Sequence, residues 1–191
     1  MTNPTVVLVI ASAIWIGWEI WLFVRDRRQG TGGTARDKGT RFLNVAAMLV
    51  GVGGAAATSA VQSTFFPGGR SETTFWIGIG IMALGLALRV WAVVTLGTSF
   101  RTTVETHADQ ELVDRGPYRL VRHPSYSGLV LTCCGYGIAV QNWISLALAV
   151  IPPLAALLYR IGVEERILAT ALGDSYSAYM KRTKKLIPFV W

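Results

Sequence analysis

The stretch Gly116-Pro-Tyr-Arg-Leu-Val-Arg-His-Pro-Ser-Tyr-Ser-Gly128 is a polar turn that leads straight into an apolar segment beginning at Leu129. Each of its two prolines fixes φ and removes a backbone donor, and the residue before a proline is biased towards extended conformations. The stretch is therefore predicted to be a shaped turn rather than a helix. A basic turn that merely caps a membrane helix has a similar local sequence, so the rest of the chain must decide between these interpretations.

The composition around this turn is that of an integral membrane protein. Hydrophobic residues make up 52% of the chain and charged residues 15%, against roughly 25% charged residues in soluble proteins. The net charge of +7 is attributed to the cytoplasmic side of a membrane protein, so no nucleic-acid partner is expected. The adjacent Cys133 and Cys134 lie in an apolar run and the chain has only two histidines, so no metal site is expected either.

Apolar runs along the chain predict an all-α fold with five transmembrane helices. The first three runs are long enough to cross a hydrocarbon core of ~30 Å, and the last two are shorter and are predicted to form a helical hairpin. The five runs are Thr5–Val24, Phe42–Thr64, Thr73–Gly97, Tyr126–Gln141 and Trp143–Tyr159. The tail is predicted to form a short interfacial helix. Residues 1–191 are taken as a single domain, with a two-span region (1–72) and a core (73–191).

The distribution of positive charge predicts the orientation. Sixteen of the 18 Lys and Arg residues fall in three segments, which are Arg25–Arg41, Thr98–Ser125 and the tail from Arg160. With five spans these segments share one side, which the positive-inside rule identifies as the cytoplasm, and the N-terminus lies outside. With four or six spans, the Lys and Arg residues would be distributed over both sides of the membrane. The same topology brings His123 and Glu164 to one face of the membrane.

Two pairs of charged residues stand out in the sequence. Arg160 and Glu164 are spaced i, i+4, which fits either a surface ion pair or a functional site opposite the His123 turn. Glu19 and Arg89 lie inside predicted spans, where a charge costs about 2.5–3.5 kcal/mol on insertion scales. Because both lie at a similar depth, they are predicted to pair with each other.

Four motifs in the second half of the chain together resemble the isoprenylcysteine carboxyl methyltransferase family. They are Arg115-Gly-Pro-Tyr-Arg-Leu-Val-Arg-His-Pro-Ser-Tyr-Ser-Gly128, Arg160-x-x-x-Glu164-Glu165, Leu172-Gly-Asp-Ser-Tyr-Ser-Ala-Tyr179 and Leu186-Ile-Pro-Phe189. The order and spacing of the motifs are specific, whereas each alone would be weak. The resemblance runs from about Thr98 to Trp191, and the first two spans carry no recognisable signature.

The resemblance implies an S-adenosylmethionine-dependent methyltransferase with its site at the cytoplasmic face of the membrane. It would transfer a methyl group to the carboxylate of a lipophilic substrate, isoprenoid or prenylcysteine-like, within the membrane lipids. By similarity, Arg160 would bind the substrate carboxylate. The residues that would contact the cofactor are Thr103, Gln110, Glu111, Leu112, Val113, Tyr118, His123, Pro124, Ser125, Tyr126 and Glu164.

The residue types suit this chemistry on their own terms. Glu164 can pair with the ammonium group of the cofactor, and tyrosine faces can lie against its sulfonium or adenine. The guanidinium of Arg160 can orient a carboxylate through two hydrogen bonds. A carboxylate is ionised near neutral pH, so methyl transfer to it needs no general base.

Three other functions stay open at this point. Methylation of a lipid amine would place a protonated amine beside Arg160, which would repel it. An NADPH-dependent membrane reductase of the sterol-reductase type can carry a similar Arg-His-Pro-x-Tyr-x-Gly turn, but that pattern favours Asn and Glu where this chain has Ser125 and Leu129. A membrane scaffold without enzymatic activity would leave the clustered polar residues unexplained.

Overall fold

The described part of the protein is mainly a bundle of α-helices. The computed structural model describes residues 3–28, 34–35, 39–97, 105–106 and 112–188. The helices are α1 (Pro4–Arg28), α2 (Thr40–Thr58), α3 (Glu72–Leu96), α4 (Pro124–Val140), α5 (Trp143–Leu172) and α6 (Asp174–Arg182). Two short strands, β1 (Thr34–Ala35) and β2 (Glu105–Thr106), and two 3-10 turns, Gln62–Thr64 and Gly116–Arg119, complete the described elements.

Within the described residues, four helices are long and apolar enough to cross a membrane. They are α1, α2, α3 and α5. The predicted fourth span, α4, has 17 residues and is largely covered by its neighbours. The all-helical membrane fold expected from the sequence is confirmed, whereas the count of five crossings stays a prediction.

The helix boundaries differ most from the predicted spans at the ends of α2 and α5. The second helix ends at Thr58, and the predicted end at Thr64 falls in a separate 3-10 turn. The last long helix does not end at Tyr159 but continues through Pro152 and Pro153 to Leu172. Hydropathy marks where a chain leaves apolar surroundings, and a helix need not end there. As a result, α5 carries Arg160 and Glu164 on one continuous helix.

Glycines allow α3 and α4 to pack backbone against backbone. A Cβ atom on Gly78 would lie 2.4 Å from the Ala139 nitrogen, and one on Gly135 would lie 2.3 Å from the Met82 nitrogen. Gly85 makes an equally close approach to α4, but a Cβ on Gly80 would meet open space. Small residues that let helices approach this closely are typical of membrane-helix interfaces.

The predicted pairing of the two charges inside spans is confirmed. The Nε and Nη2 atoms of Arg89 donate to the two carboxylate oxygens of Glu19 at 2.5 and 2.6 Å. The Arg89 side chain is 7% exposed and the Glu19 side chain 30%. Helix α1 is thus tied to α3 by a bidentate ion pair.

At one end of the bundle, the α4–α5 turn is fastened to the α2–α3 connection. The buried Asn142 side chain donates to the carbonyls of Thr58 and Val61 at 3.2 and 3.1 Å, and to the Thr64 hydroxyl at 2.7 Å. Its Oδ1 accepts from the Ser145 amide at 3.0 Å and so caps α5. One side chain therefore satisfies groups on three separate elements.

Replacing Asn142 with alanine is expected to lower the stability of the whole bundle. The change removes the three hydrogen bonds that the Asn142 amide donates and the side-chain cap of α5, at about 0.5–1.5 kcal/mol for each hydrogen bond. Thermal unfolding in detergent would measure it, with Thr64→Ala as the control that removes only one acceptor. Equal melting temperatures for Asn142→Ala and Thr64→Ala would contradict this role.

At the other end, the three basic segments identified in the sequence come together. Strand β1, between α1 and α2, pairs antiparallel with β2, between α3 and α4. The turn before α4 pairs with the C-terminal tail through a bridge between Val121 and Lys184. The candidate site is built at this end.

Candidate functional site

The 3-10 turn Gly116–Arg119 begins the site and depends on a glycine. Gly116 has φ 56°, and a Cβ there would lie 3.0 Å from the Thr95 hydroxyl at the end of α3. A residue with a side chain would therefore be strained in its backbone and in tight contact with the Thr95 side chain. The turn buries Tyr118, whose carbonyl accepts a hydrogen bond from the Tyr179 hydroxyl of α6 at 2.7 Å.

The C-terminal tail lies along the turn that precedes α4 and fixes its backbone. The amides of Arg122 and His123 donate to the carbonyls of Lys184 and Lys185 at 2.7 and 3.1 Å. The Ser127 hydroxyl donates to the Leu186 carbonyl at 2.6 Å. The conformation of the turn is thus set by residues about sixty positions further along the chain.

Arg122 and Glu165 join the turn to α5 and the tail. The Arg122 Nε donates to Glu165 at 2.8 Å, and its Nη1 donates to the carbonyls of Met180 and Thr183 at 3.1 and 2.5 Å. The Lys185 ammonium lies 3.6 Å from the other Glu165 oxygen. These contacts give Arg122 a structural role.

His123 lies at the start of α4 with its ring buried. Its Nε2 lies 3.3 Å from Glu165 Oε1, and its Nδ1 lies 3.9 Å from Glu164 Oε2. The ring stacks on Tyr126 with centroids 5.5 Å apart and planes 8° apart. The imidazole therefore holds the Tyr126 ring beside two carboxylates.

The centre of the site is a chain of three side chains. The Arg160 Nε donates to the Tyr126 hydroxyl at 2.8 Å, and that hydroxyl donates to Glu164 Oε2 at 2.8 Å. The Arg160 Nη1 also donates to the Thr40 hydroxyl of α2 at 3.3 Å. Arg160 is 4% exposed, which excludes a solvated surface ion pair with Glu164. The Tyr126 hydroxyl thus links a buried cation to a carboxylate that is 26% exposed.

The arrangement suits a ligand that carries charges of both signs. A buried guanidinium next to apolar helices can bind an anion that is partly removed from water, and the more exposed Glu164 can bind a cation. Burial, followed by the negative charge of Glu164, raises the pKa of the nearby Tyr118 hydroxyl. In the described part of the chain no group of three or more metal-ligating residues is found.

The structure brings together only part of the predicted residue set. Tyr126 joins His123, Arg160 and Glu164, through stacking on His123 and hydrogen bonds to the other two. Tyr118 lies close enough for Glu164 to act on its hydroxyl. The remaining predicted residues are buried or half-buried in the same segment, namely Leu112, Val113, Pro124 and Ser125. Thr103, Gln110 and Glu111 lie outside the described residues. The roles of all these residues stay predictions.

Sequence reasoning missed Thr40 and left Glu165 without a role. Thr40 is fully buried against Arg160, although it belongs to the segment without a recognisable motif. Thr40 lies at the start of α2, directly after a basic loop. This position was the one sequence signal that could have placed it at the same end of the bundle as the site. Glu165 is neighbour to Glu164 in sequence but turns towards Arg122 and His123.

Comparisons with known proteins identify relatives of this chain. Residues 76–170 match the family model described as the isoprenylcysteine carboxyl methyltransferase (ICMT) family. A protein-S-isoprenylcysteine O-methyltransferase B from Arabidopsis thaliana is 33% identical over 134 residues, which is 68% of this chain and 67% of that protein. A protein-S-isoprenylcysteine O-methyltransferase from Schizosaccharomyces pombe is 32% identical over 156 residues, covering 75% of this chain and 66% of the relative.

A solved structure has a similar fold. It is the eukaryotic intramembrane Ras methyltransferase ICMT, with a TM-score of 0.54 and 25% sequence identity. The match covers 82% of this chain and 55% of the solved chain. The chain thus spans about two thirds or less of the length of these relatives. The family model begins within α3, so α1 and α2 lie outside it.

Proposed function

This chain belongs to the isoprenylcysteine carboxyl methyltransferase family, and from that premise we propose that it methylates the carboxylate of a lipophilic substrate with S-adenosylmethionine as donor. The observation that carries the proposal is the contact chain Arg160–Tyr126–Glu164. It holds a buried carboxylate-binding group one hydroxyl away from an ammonium-binding group. The proposed acceptor is an isoprenoid or prenylcysteine-like carboxylate, as the names of the relatives suggest.

The charged and aromatic side chains of the site fit S-adenosylmethionine. The cofactor carries a sulfonium, an ammonium and a carboxylate, and bound in the site it would supply an electrophilic methyl group. Glu164, which is partly exposed and in contact with the Tyr126 hydroxyl, would bind the ammonium. His123 and Tyr126, stacked on each other, would present a flat face to the cofactor.

Arg160 would orient the acceptor. Its side chain reaches α2 and α4 from α5, so it is held on two sides before any substrate binds. Its guanidinium would hold the carboxylate with one oxygen directed at the methyl group. That oxygen would form a bond to the methyl carbon as the carbon–sulfur bond breaks, with S-adenosylhomocysteine as the neutral leaving group. No proton would have to move, so the protein would contribute alignment and exclusion of water.

The membrane arrangement is part of the same proposal. Five crossings, with α4 and α5 as a hairpin and the N-terminus outside, would place the site at the cytoplasmic face and α6 at the membrane interface. The grouping of the three basic segments at one end of the bundle supports this orientation. Residues 1–191 would form one methyltransferase domain, with the two-span region 1–72 supporting a catalytic core over 73–191. The substrate would enter from the surrounding lipid.

Replacing Glu164 with alanine is expected to weaken the binding of S-adenosylhomocysteine about 10- to 150-fold, so that the titration no longer reaches saturation. The change removes the carboxylate that would pair with the ligand ammonium, and hydrogen bonds of this charged kind contribute about 1.5–3 kcal/mol each. Calorimetric titration of the detergent-purified protein would measure the affinity. Glu72→Ala, at the exposed start of α3, is the matched control.

The same titration separates the alternatives. Saturable binding of S-adenosylhomocysteine that is lost in Glu164→Ala and kept in Glu72→Ala supports the proposal. Binding of NADPH in place of S-adenosylhomocysteine would overturn it in favour of a reductase. A separate assay of methyl transfer tests the acceptor, and transfer to a lipid amine would overturn the choice of acceptor but keep the cofactor.

A further inference from the structure

We propose that Glu19 and Arg89 are positioning residues for the methyl-donor segment, acting through Ser125. The inference rests on the proposed function, because it concerns the segment His123–Tyr126 that would hold the donor. Helix α1, which lies outside the family-matched residues 76–170, would thereby help to position the site.

The contacts of Arg89 divide between two elements. Its Nε and Nη2 donate to Glu19 of α1, and its Nη1 donates to the Ser125 hydroxyl and carbonyl of α4 at 2.8 and 3.1 Å. All three guanidinium nitrogens are therefore engaged, and Glu19 fixes the angle at which Nη1 reaches Ser125. Arg89 is 6% exposed and Ser125 is 5% exposed, so water offers little competition.

Ser125 immediately precedes the residue at the centre of the site. Tyr126 extends from the same first turn of α4 and carries the hydroxyl that contacts Arg160 and Glu164. A shift of Ser125 therefore moves Tyr126. A continuous set of contacts runs from Glu19 through Arg89 and Ser125 to this hydroxyl. A misplacement of about 1 Å in a reacting site can cost a hundredfold in rate.

Stability alone does not account for this arrangement. A buried ion pair often contributes no more than apolar residues of the same volume would, because desolvation offsets the attraction. Joining α1 to α3 would also need only the two contacts with Glu19. The third nitrogen, directed at both polar atoms of Ser125, is what connects the pair to the site.

The test compares Glu19→Gln, Glu19→Asp, Arg89→Leu and the double variant Glu19→Gln/Arg89→Leu. Asp26→Asn is the matched control, since Asp26 is also a buried carboxylate of α1 and lies 3.5 Å from Arg41. Three quantities are measured for each protein. They are the apparent melting temperature, the Kd for S-adenosylhomocysteine, and the hydrogen exchange of the Tyr126 and Ser127 amides without ligand.

We expect Glu19→Gln to raise the Kd about tenfold, the size seen when an outer hydrogen-bond partner of a binding group is lost. Glu19→Asp keeps the charge and the fold but shortens the reach, and is expected to raise the Kd and to speed amide exchange. The double variant leaves no unpaired charge, so its melting temperature should recover relative to Arg89→Leu and Glu19→Gln. Its Kd should stay raised, because Ser125 still lacks its donor.

Recovery of both melting temperature and Kd in the double variant would overturn the inference, since the pair would then be structural only. So would a folded Glu19→Asp protein with wild-type Kd and exchange, or an Asp26→Asn protein with the same rise in Kd. If the wild-type protein binds no S-adenosylhomocysteine, the proposed function fails instead. The exchange rates of Tyr126 and Ser127 then still decide whether Glu19 positions this turn.

Discussion

Arg160→Lys is expected to reduce kcat/KM for methyl transfer on the order of 100- to 1,000-fold, the range for loss of a preorganised charge-stabilising donor. Lysine keeps the positive charge but lacks the planar fork that can hold a carboxylate through two bonds. It also cannot keep both the Tyr126 and the Thr40 contacts, which are 2.8 and 3.3 Å from different guanidinium nitrogens. The acceptor carboxylate would lose its fixed orientation.

Initial rates at varied acceptor concentration measure this effect. Arg166→Lys is the matched control, because Arg166 is an exposed arginine on the same helix. The account expects near wild-type kinetics for Arg166→Lys. A wild-type kcat/KM for Arg160→Lys would show that the acceptor carboxylate is bound elsewhere.

Gly78→Ala is expected to destabilise the bundle strongly, whereas Gly80→Ala, two residues further along α3, is not. The new methyl group of Gly78→Ala would lie 2.4 Å from the Ala139 nitrogen and 2.8 Å from the Gly135 carbonyl oxygen, and backbone atoms cannot move aside as a flexible side chain can. Overpacking of this kind costs about 1–3 kcal/mol or more. A Cβ at Gly80 meets nothing within 4 Å.

Thermal unfolding in one detergent gives the comparison. A loss of about 3 kcal/mol corresponds to a fall of roughly 6–12 °C in Tm for a chain of this size. Gly80→Ala is expected to stay within about 2 °C of the wild type, since surface substitutions away from special features usually change stability by under ~0.5 kcal/mol. Equal shifts for the two variants would mean that α3 and α4 are not in backbone contact at Gly78.

Hydropathy and charge predicted the helical membrane fold and the grouping of the basic segments at one end of the bundle. Both depend on the residue composition of each segment and not on how the segments pack together. The pairing of Glu19 with Arg89 was predictable for the same reason, since two charges at one depth have few other partners in a membrane. The end of α5 was not, because its polar final turns are held by packing and by the tail rather than by lipid. Leu172 is followed by Gly173 with φ 56°, and this backbone turn ends the helix.

The motifs located the candidate site but not the contacts between its side chains. Spacing alone placed Arg160 and Glu164 on one helix face, and it could not show that the Tyr126 hydroxyl joins them. The contact of Arg160 with Thr40 depends on how α2 packs on α5, which is set by the close approach of Gly51 to the Leu148 carbonyl. Contacts between distant segments of this kind arise only from the packed fold.

The central claim is that a carboxylate accepts a methyl group at Arg160, and one labelling measurement tests it most directly. The purified protein is incubated with methyl-labelled S-adenosylmethionine and an S-farnesylated N-acetylcysteine, beside the same acceptor as its carboxamide. The account predicts label in the lipid product of the free acid only, released as methanol by mild base, because a methyl ester is base-labile. Label that survives base, or equal labelling of the carboxamide, would contradict it.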